Sequence, residues 1–189
     1  MADPQLPSRN KRIVTIFGSS RPLPGSPEYE EAFLLGKKLS AAGISVCTGG
    51  YRGIMEGVSK GAHESGAQII GVTTAIFSSA PNEYVNVQVH TTSLYERLSR
   101  LVDLADGFIA LKGGTGTLVE LSLAWELMNK NIIARKPFFC VTDFWKPVIE
   151  HLNKELSFEG LESCTKYIRI ASNASETADA MIEALKGAV

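Results

Sequence analysis

Five short runs of almost uninterrupted apolar residues constrain the fold of this 189-residue chain more than any other feature. They are RIVTIF (12–17), ISVC (44–47), AQIIGV (67–72), GFIAL (107–111) and PFFCV (137–141). Strands that are apolar on both sides are typical of a parallel sheet covered by helices on both faces. Two weaker strand candidates are YVNVQV (84–89) and YIRI (167–170).

Segments with a helical pattern separate these runs. The predicted helices are Pro27–Ala42, Ile54–Ser65, Thr92–Ala105, Thr117–Asn129, Trp145–Leu156 and Ser175–Leu185. This alternation of strands and helices predicts an α/β, doubly wound fold with a mostly parallel sheet and helices on both faces. We expect residues 1–189 to form a single domain, with residues 1–10 as a loose N-terminal tail.

Composition excludes several classes of protein. The net charge is -1 and the Lys and Arg are scattered, which argues against a nucleic-acid or membrane surface but is compatible with a local anion pocket. No apolar run approaches the ~20 residues of a membrane span, and the first residues lack the apolar core of a signal peptide. Three dispersed cysteines indicate reduced core thiols and a cytoplasmic location, and the three histidines lack metal-site spacing.

Turns rich in glycine or hydroxyl groups follow three of the predicted strands. They are GSSRP (18–22), TGGYRG (48–53) and KGGTGT (112–117). Strand ends of this kind share one edge of a parallel sheet, and amide groups at a helix N-terminus bind anions. Three such turns favour a phosphate-bearing ligand over tight turn geometry alone. Neither the dinucleotide fingerprint nor the P-loop pattern is present.

Arg97 falls inside the apolar stripe of its predicted helix. That stripe is marked by Leu94, Leu98, Leu101 and Ala105. A guanidinium in this position must snorkel, form an ion pair or meet a ligand, because an unpaired buried charge is costly. Arg100, three residues on, is either a second anion contact or a solvated side chain.

Glu120 admits two interpretations. Thr117 and Glu120 have the spacing of a capping box, as do Ser93 and Glu96, to which we assign that role. Against the capping role of Glu120, the segment from Leu118 to Met128 is apolar almost all round, which predicts a buried helix. A carboxylate one turn past a glycine-rich anion loop would lie beside the ligand. The residues alone leave both interpretations open.

The same residues resemble a known family. GGTGTLVE (113–120) matches the PGGxGTxxE signature of the Lonely Guy (LOG) proteins, nucleoside 5′-monophosphate phosphoribohydrolases that are often mislabelled lysine decarboxylases. Other segments of that family are similar to YERLSRLVDLADGFIAL (95–111), TGGYRGIMEGVSKGA (48–62) and IFGSSRPLPGSPEYEEAFLLGKKLSAAG (16–43). The resemblance extends from about Ile13 to Leu156.

This resemblance implies a Rossmann-like fold, usually dimeric, that hydrolyses the N-glycosidic bond of a cytokinin ribotide or AMP-type nucleotide. The family's catalytic arginine and glutamate fall on Arg97 and Glu120. The implied contacts of the phosphate and ribose are Gly18, Ser19, Ser20, Gly49, Gly50, Arg100, Gly113, Gly114, Thr115, Gly116 and Thr117. No cofactor and no metal is implied. Bond cleavage builds positive charge on the ribose, which a carboxylate such as Glu120 can stabilise.

Three positions depart from the family pattern. Leu98 replaces the lysine after the catalytic arginine, Lys112 replaces the proline of the PGG element, and Thr48 replaces the first glycine of the second turn. These changes keep a second hypothesis open, a non-catalytic nucleotide sensor or a molybdenum-cofactor carrier of the same fold. A dinucleotide oxidoreductase is disfavoured because its fingerprint is missing, and no residue set argues for a pyridoxal phosphate decarboxylase.

Overall fold

The computed structural model describes residues 11–141 and 144–187. The predicted N-terminal tail therefore lies outside the described residues. The elements in chain order are β1 (Ile13–Phe17), α1 (Pro27–Ala41), β2 (Ser45–Thr48), α2 (Ile54–His63), β3 (Ile69–Thr74), β4 (Val87–Thr91), α3 (Leu94–Asp103), β5 (Gly107–Ala110), α4 (Thr115–Asn129), β6 (Phe138–Val141), α5 (Lys146–Phe158), a 3₁₀ helix (Glu162–Lys166), β7 (Ile168–Ala171) and α6 (Ala174–Lys186).

The seven strands form one sheet in the order β4-β3-β2-β1-β5-β6-β7. Every neighbouring pair of strands is parallel. The chain runs outward from β1 to β4 and then returns to place β5 on the other side of β1. This confirms the predicted doubly wound α/β fold. In such sheets, ligands bind where the strand order reverses, outside the carboxyl ends of the strands. Here that place lies between β1 and β5.

The helices form two layers, one on each face of the sheet. Side chains of β1 show the division, since Val14 and Ile16 pack with α1, α2 and α6, whereas Ile13 and Phe17 pack with α3, α4 and α5. β1, β2, β3, β5 and β6 are buried along their whole length. This explains their nearly continuous apolar sequence, because both faces of each strand are covered. The aromatic side chains of Phe108, Phe138 and Trp125 are buried in the core.

Two glycines bring α1 and α2 into close contact. A Cβ atom on Gly36 would overlap the carbonyl oxygen of Val58, and one on Gly61 would overlap that of Phe33. The close approach draws the loop before α1 towards the turn before α2. These two segments form one wall of the candidate site.

The structure corrects the predicted start of β4. The strand begins at Val87 and not at Tyr84. Residues 82–85 form a turn instead, in which Val85 N–H donates to the Asn82 carbonyl oxygen and Tyr84 N–H donates to Asn82 Oδ1. The side chain of Asn86 then bonds the backbone of Ile69 and Ala67 in place of a strand partner. Apolar alternation alone does not reveal such competition from asparagine.

Two predictions about buried helix faces are wrong in part. Leu94, the first residue of α3, is 42% exposed. α4 is not buried all round: Leu121, Ala124 and Trp125 are in the core, but Val119 is 46% exposed. Its outer face carries Val119 beside the polar Ser122 and Glu126.

The cysteines agree with the prediction from their spacing. Cys47, Cys140 and Cys164 are free and buried. Burial raises the pKa of Cys47 and that of Cys140 to about 12, so both thiols stay protonated at neutral pH. They are core side chains. Among the described residues, no helix has the length and apolar character needed to cross a membrane.

Candidate active site

Arg97 and Glu120 form a buried ion pair above the carboxyl edge of the sheet. Arg97 lies on the first turn of α3 and Glu120 is the sixth residue of α4. Nη1 of Arg97 donates to Oε1 of Glu120 at 3.2 Å, with the two side chains only 7% and 12% exposed. The sequence places each of them on an apolar helix face. The structure brings them together because α3 and α4 are neighbours in one layer.

Further contacts fix the guanidinium of Arg97. Its Nε donates to the carbonyl oxygen of Val72, inside β3, at 2.9 Å. The rings of Tyr51 and Phe77 each lie 5.9 Å from its central carbon, a distance at which cation–π attraction acts. Nη2 packs directly on Gly49, where any Cβ atom would overlap it. The guanidinium therefore has one position, set by β2, β3 and α4 together.

Burial makes the Glu120 carboxyl harder to ionise than that of an ordinary glutamate. It raises the pKa of the Glu120 carboxyl above its ordinary value, and the charge and hydrogen bond of Arg97 only partly oppose this effect. The sequence suggests that pairing with arginine would simply keep the carboxylate ionised. In the structure the cost of desolvation outweighs the pairing. A carboxyl group of this kind can both accept and return a proton.

The capping-box interpretation of Glu120 is wrong. α4 begins at Thr115 after the N-cap Gly114, so Thr117 lies inside the first turn and makes no side-chain cap. The other predicted box forms in part: Ser93 Oγ accepts a hydrogen bond from the backbone N–H of Glu96 at 3.1 Å. The Glu96 carboxylate bonds Thr92 rather than the N–H of Ser93.

The turn after β5 presents backbone amides at the start of α4. The first helical hydrogen bond is donated by Leu118 N–H to the Gly114 carbonyl oxygen. The amides of Thr115, Gly116 and Thr117 precede that bond and therefore lack partners inside the helix. Gly114, Thr115 and Gly116 are exposed. This arrangement can bind an anion about one helical turn from Glu120.

The three glycine-rich turns meet at this edge, as predicted. Ser19 N–H donates to the Lys112 carbonyl oxygen at 3.1 Å, which joins the first turn to the third. Ile54 N–H donates to the Ser19 carbonyl oxygen at 2.9 Å, which joins the first to the second. Gly53, with a φ of 71°, passes so close to Ser19 and Ser20 that a side chain would not fit. Gly18 and Ser19 are half-buried, whereas Ser20 is exposed.

The second turn is held by a hydrogen bond of its own and by Asn82, which lies in the loop after β3. Gly50 has a φ of 78°, and its N–H donates to Thr48 Oγ1 at 3.0 Å. The Asn82 side chain donates to the carbonyl oxygens of Gly50 and Tyr51. Thr48, which departs from the family pattern, thus stabilises the turn through its hydroxyl. Gly49 lies against Arg97, and Gly50 lies against Gly71 and Thr73 of β3.

Arg100 is only partly buried and lies one helical turn beyond Arg97. Its charge acts on Glu96, where it lowers the pKa of that carboxyl after the larger effects of two hydrogen bonds from Thr92. The predicted role of Arg100 as an anion contact stays a prediction.

Several contacts of this region have no signal in the sequence. Lys112 Nζ donates to Glu28 Oε1 at 3.0 Å across the first and third turns. Beside this pair lies a cavity of about 380 Å³, which we call the β1–β5 cavity; its described lining is Ser19, Arg21, Pro22, Ser26, Glu28, Lys112, Gly113 and Phe144. Tyr51 and Phe77 were also missed, since an isolated aromatic residue in a loop fits no periodic pattern.

Comparison with known proteins identifies the family of the chain. A model described as the SLOG cluster4 family matches residues 11–168. The rice (Oryza sativa subsp. japonica) protein named cytokinin riboside 5′-monophosphate phosphoribohydrolase LOG is 34% identical over 160 residues, which cover 79% of this chain and 63% of the relative. The chain thus spans slightly less than two thirds of that relative. Cytokinin riboside 5′-monophosphate phosphoribohydrolase LOG7 of Arabidopsis thaliana is 32% identical over 179 residues, 89% of this chain and 80% of the relative.

Solved structures share the fold. The molybdenum cofactor binding protein of Rippkaea orientalis superposes with a TM-score of 0.71 at 27% identity, over 96% of this chain and 99% of that one. The molybdenum cofactor carrier protein of Chlamydomonas reinhardtii gives a TM-score of 0.72 at 21% identity, over 93% and 99% of the two chains, a likeness of fold alone. The family match covers most of the chain, and the chain therefore belongs to the SLOG cluster4 family, within the LOG group of proteins.

Proposed function

We propose that this protein hydrolyses the N-glycosidic bond of a nucleoside 5′-monophosphate, of the AMP or cytokinin ribotide type, to a free base and ribose 5-phosphate. The observation that carries the proposal is the buried Arg97–Glu120 pair beside an uncapped helix N-terminus. The names of the rice and Arabidopsis relatives support the same reaction.

In this proposal the 5′-phosphate binds to the amides at the start of α4, with Gly113 and Thr115 to Thr117 as its nearest contacts. The ribose then lies between that turn and Glu120. Gly18, Ser19, Ser20, Gly49 and Gly50 line the rest of the site. A helix N-terminus favours a doubly charged phosphate through both its free amides and its dipole.

Glu120 is the proposed acid–base group. Cleavage leaves positive charge on the ribose, which the carboxylate stabilises as the C1′–N bond lengthens. Water adds its oxygen to C1′, the electron pair of the broken bond goes to the base nitrogen, and Glu120 takes the proton of the water. The raised pKa of Glu120 suits it to pass that proton on to the base.

Arg97 is the proposed positioning residue. Its bonds to the Val72 carbonyl oxygen and to Glu120 hold the carboxylate in one orientation. Precise placement of a reacting group contributes to rate because it removes the entropy cost of alignment. Phe77, which is 44% exposed beside this guanidinium, offers an aromatic surface to the base.

The test is release of free base from AMP and from its N6-isopentenyl analogue, with Glu120→Ala beside the unaltered protein. We expect release by the unaltered protein and none by the variant. Glu126→Ala is the matched control, because Glu126 lies on the same helix but is exposed. No release by the unaltered protein from either nucleotide would refute the proposed reaction.

A second candidate is a binding protein for a nucleotide or phosphorylated cofactor. The likeness to the Rippkaea orientalis molybdenum cofactor binding protein favours it. The same variant separates the two candidates. Under this second function the unaltered protein shows no turnover, and Glu120→Ala leaves ligand affinity nearly intact.

We also infer a homodimer. Exposed apolar side chains lie on the neighbouring helices α3 and α4, namely Leu94, Tyr95 and Val119. Such surfaces are common at protein interfaces. Light scattering on the purified protein should give twice the mass of one chain, and Val119→Asp should shift it to the mass of one. A monomeric mass for the unaltered protein would refute the inference.

A further inference from the structure

The β1–β5 cavity carries two cations outside the Arg97–Glu120 pair. Lys112 and Arg21 both line it. Lys112 Nζ lies 3.0 Å from Glu28 Oε1, with the two side chains 54% and 36% exposed. With Glu28 ionised, the three charges leave one net positive charge on the wall. A volume of about 380 Å³ is in the range of small-molecule sites and much larger than a single phosphate requires.

The carboxylate of Glu28 occupies a position that suits an anion. Glu28 is in the first turn of α1, a helix of 15 residues. Hydrogen bonds from its own backbone N–H and from Lys112 hold the pKa of this carboxyl below its ordinary value. An acidic side chain that folds back onto a helix N-terminus and also meets a lysine shows where an external anion would bind.

Ser26 supplies an independent sign of a ligand at this wall. It is the N-cap of α1 in extended conformation, yet its side chain caps none of the helix amides. Its Oγ is buried and lacks a hydrogen-bond partner within the part of the chain that the structure describes. A serine at this position normally bonds the amides of the first turn. Ser26 is also one of the residues that line the cavity.

The cavity is continuous with the proposed phosphate position. Gly113 belongs both to the cavity wall and to the turn before α4. Ser19 lines the cavity and bonds the Lys112 carbonyl oxygen at 3.1 Å, so the two turns form one surface. A phosphate at the start of α4 therefore borders the cavity that Lys112 lines.

We propose that the β1–β5 cavity is a second anion subsite, which receives the terminal phosphate of a nucleoside 5′-diphosphate when the first phosphate lies at the start of α4. The proposal rests on the proposed function for the place of that first phosphate. The incoming phosphate displaces the Glu28 carboxylate from Lys112 and meets Arg21 and the Ser26 hydroxyl. Lys112 stands where the LOG signature has proline, so this subsite is a property of this chain.

The test compares AMP with ADP by titration calorimetry in Glu120→Gln, the full chain with turnover suppressed. We expect ADP to bind about tenfold more tightly than AMP, as one additional charge-assisted contact would give. Lys112→Met should abolish this preference and leave AMP affinity unchanged. Glu28→Gln should raise ADP affinity because it removes the competing carboxylate. Lys130→Met, an exposed lysine beyond the end of α4, is the control and should change neither affinity.

Two results would overturn the subsite: equal affinity for AMP and ADP in Glu120→Gln, or an equal loss for both nucleotides in Lys112→Met. Inorganic pyrophosphate and phosphate repeat the comparison without a nucleoside. A preference for pyrophosphate that disappears in Lys112→Met supports the subsite even if no base is released from AMP. Base release by the unaltered protein without that preference refutes the subsite alone.

Discussion

The carboxyl edge of the sheet carries two glutamates, each paired with a cation, in contrasting surroundings. Glu120 lies 3.2 Å from Arg97, and both side chains are almost fully buried between α3 and α4. Glu28 lies 3.0 Å from Lys112, and both side chains are largely open to solvent between the first and third turns. The two distances are nearly equal, so geometry alone does not distinguish the pairs.

Burial makes the difference. It raises the pKa of Glu120 despite the adjacent arginine, whereas hydrogen bonds lower the pKa of Glu28, where burial opposes them only weakly. A buried carboxyl that is costly to ionise can exchange protons during a reaction, but a solvated one only neutralises its partner. Under the proposed function, the Arg97–Glu120 pair takes part in the chemistry and the Lys112–Glu28 pair in ligand recognition.

The largest expected effect is on turnover at the buried pair. Glu120→Gln keeps the shape of the side chain but removes its charge and its capacity to accept a proton. We expect kcat for AMP to fall by about a thousandfold, with the dissociation constant of AMP changed little. Single-turnover kinetics and calorimetry measure the two quantities separately. Glu126→Gln, on the exposed face of the same helix, should retain full activity, and a fall below about tenfold in Glu120→Gln would exclude proton transfer by this residue.

The next largest effect is on stability, where the two pairs should differ most clearly. Arg97→Met leaves a buried carboxylate without its partner and should lower the free energy of unfolding by about 3 kcal/mol. Lys112→Met removes an exposed cation and should leave the free energy of unfolding nearly unchanged, because exposed pairs contribute little. Urea denaturation of both variants at neutral pH provides the measurement. Equal losses of unfolding free energy in the two variants would mean that the buried Arg97–Glu120 pair contributes no more to stability than the exposed Lys112–Glu28 pair.

The order and type of the main elements could be predicted because each element carries its own periodic signal. Strands buried on both faces are continuously apolar, and their alternation with amphipathic segments determines the doubly wound topology. The start of β4 could not be predicted, because Asn82 and Asn86 compete with the strand through their side chains. The 3₁₀ helix Glu162–Lys166 is short and has no apolar period to reveal it.

The site was predicted where a charge interrupts an apolar face. This rule identifies Arg97, and for Glu120 it favours a ligand-side position without excluding a cap. Their contact follows from where the sheet holds the two helices, since α3 packs on β3 and β4 and α4 packs on β1. The rule of a charge on an apolar face does not reveal that Glu28 and Lys112, 84 residues apart in the chain, lie in contact. That pair depends on how the loop before α1 folds over the third turn, and such long-range contacts leave no local pattern.

A smaller effect should follow from crowding the buried pair without changing its charges. A methyl group at Gly49 would overlap Arg97 Nη2 and press on Met55 Sδ. Gly49→Ala should therefore lower the free energy of unfolding by about 2 kcal/mol, a typical cost of overpacking. Gly116→Ala is the matched control, since a Cβ atom there meets nothing within 4 Å. Thermal and urea unfolding of both variants give the comparison, and a Gly49→Ala protein as stable as the control would show that the guanidinium has room to move.

The smallest effect is a displacement along the pH axis. Because burial raises the pKa of Glu120, kcat/KM should begin to fall on acidification at a higher pH than the ordinary glutamate value of 4.5 predicts. Arg97 opposes that rise in pKa, so Arg97→Met should move the acid limb of kcat/KM to a higher pH, while Lys112→Met should leave it in place.

The stability of the protein should depend on the same pKa. Glu120 binds its proton more tightly in the folded state than in the unfolded state. Its contribution to stability is therefore present below the ordinary value and is lost as the pH rises through the raised one. As the pH rises across that window, the excess stability of the unaltered protein over Glu120→Gln should decline. If kcat/KM and stability both change only at the ordinary glutamate pKa, solvent reaches Glu120 as freely as it reaches Glu28.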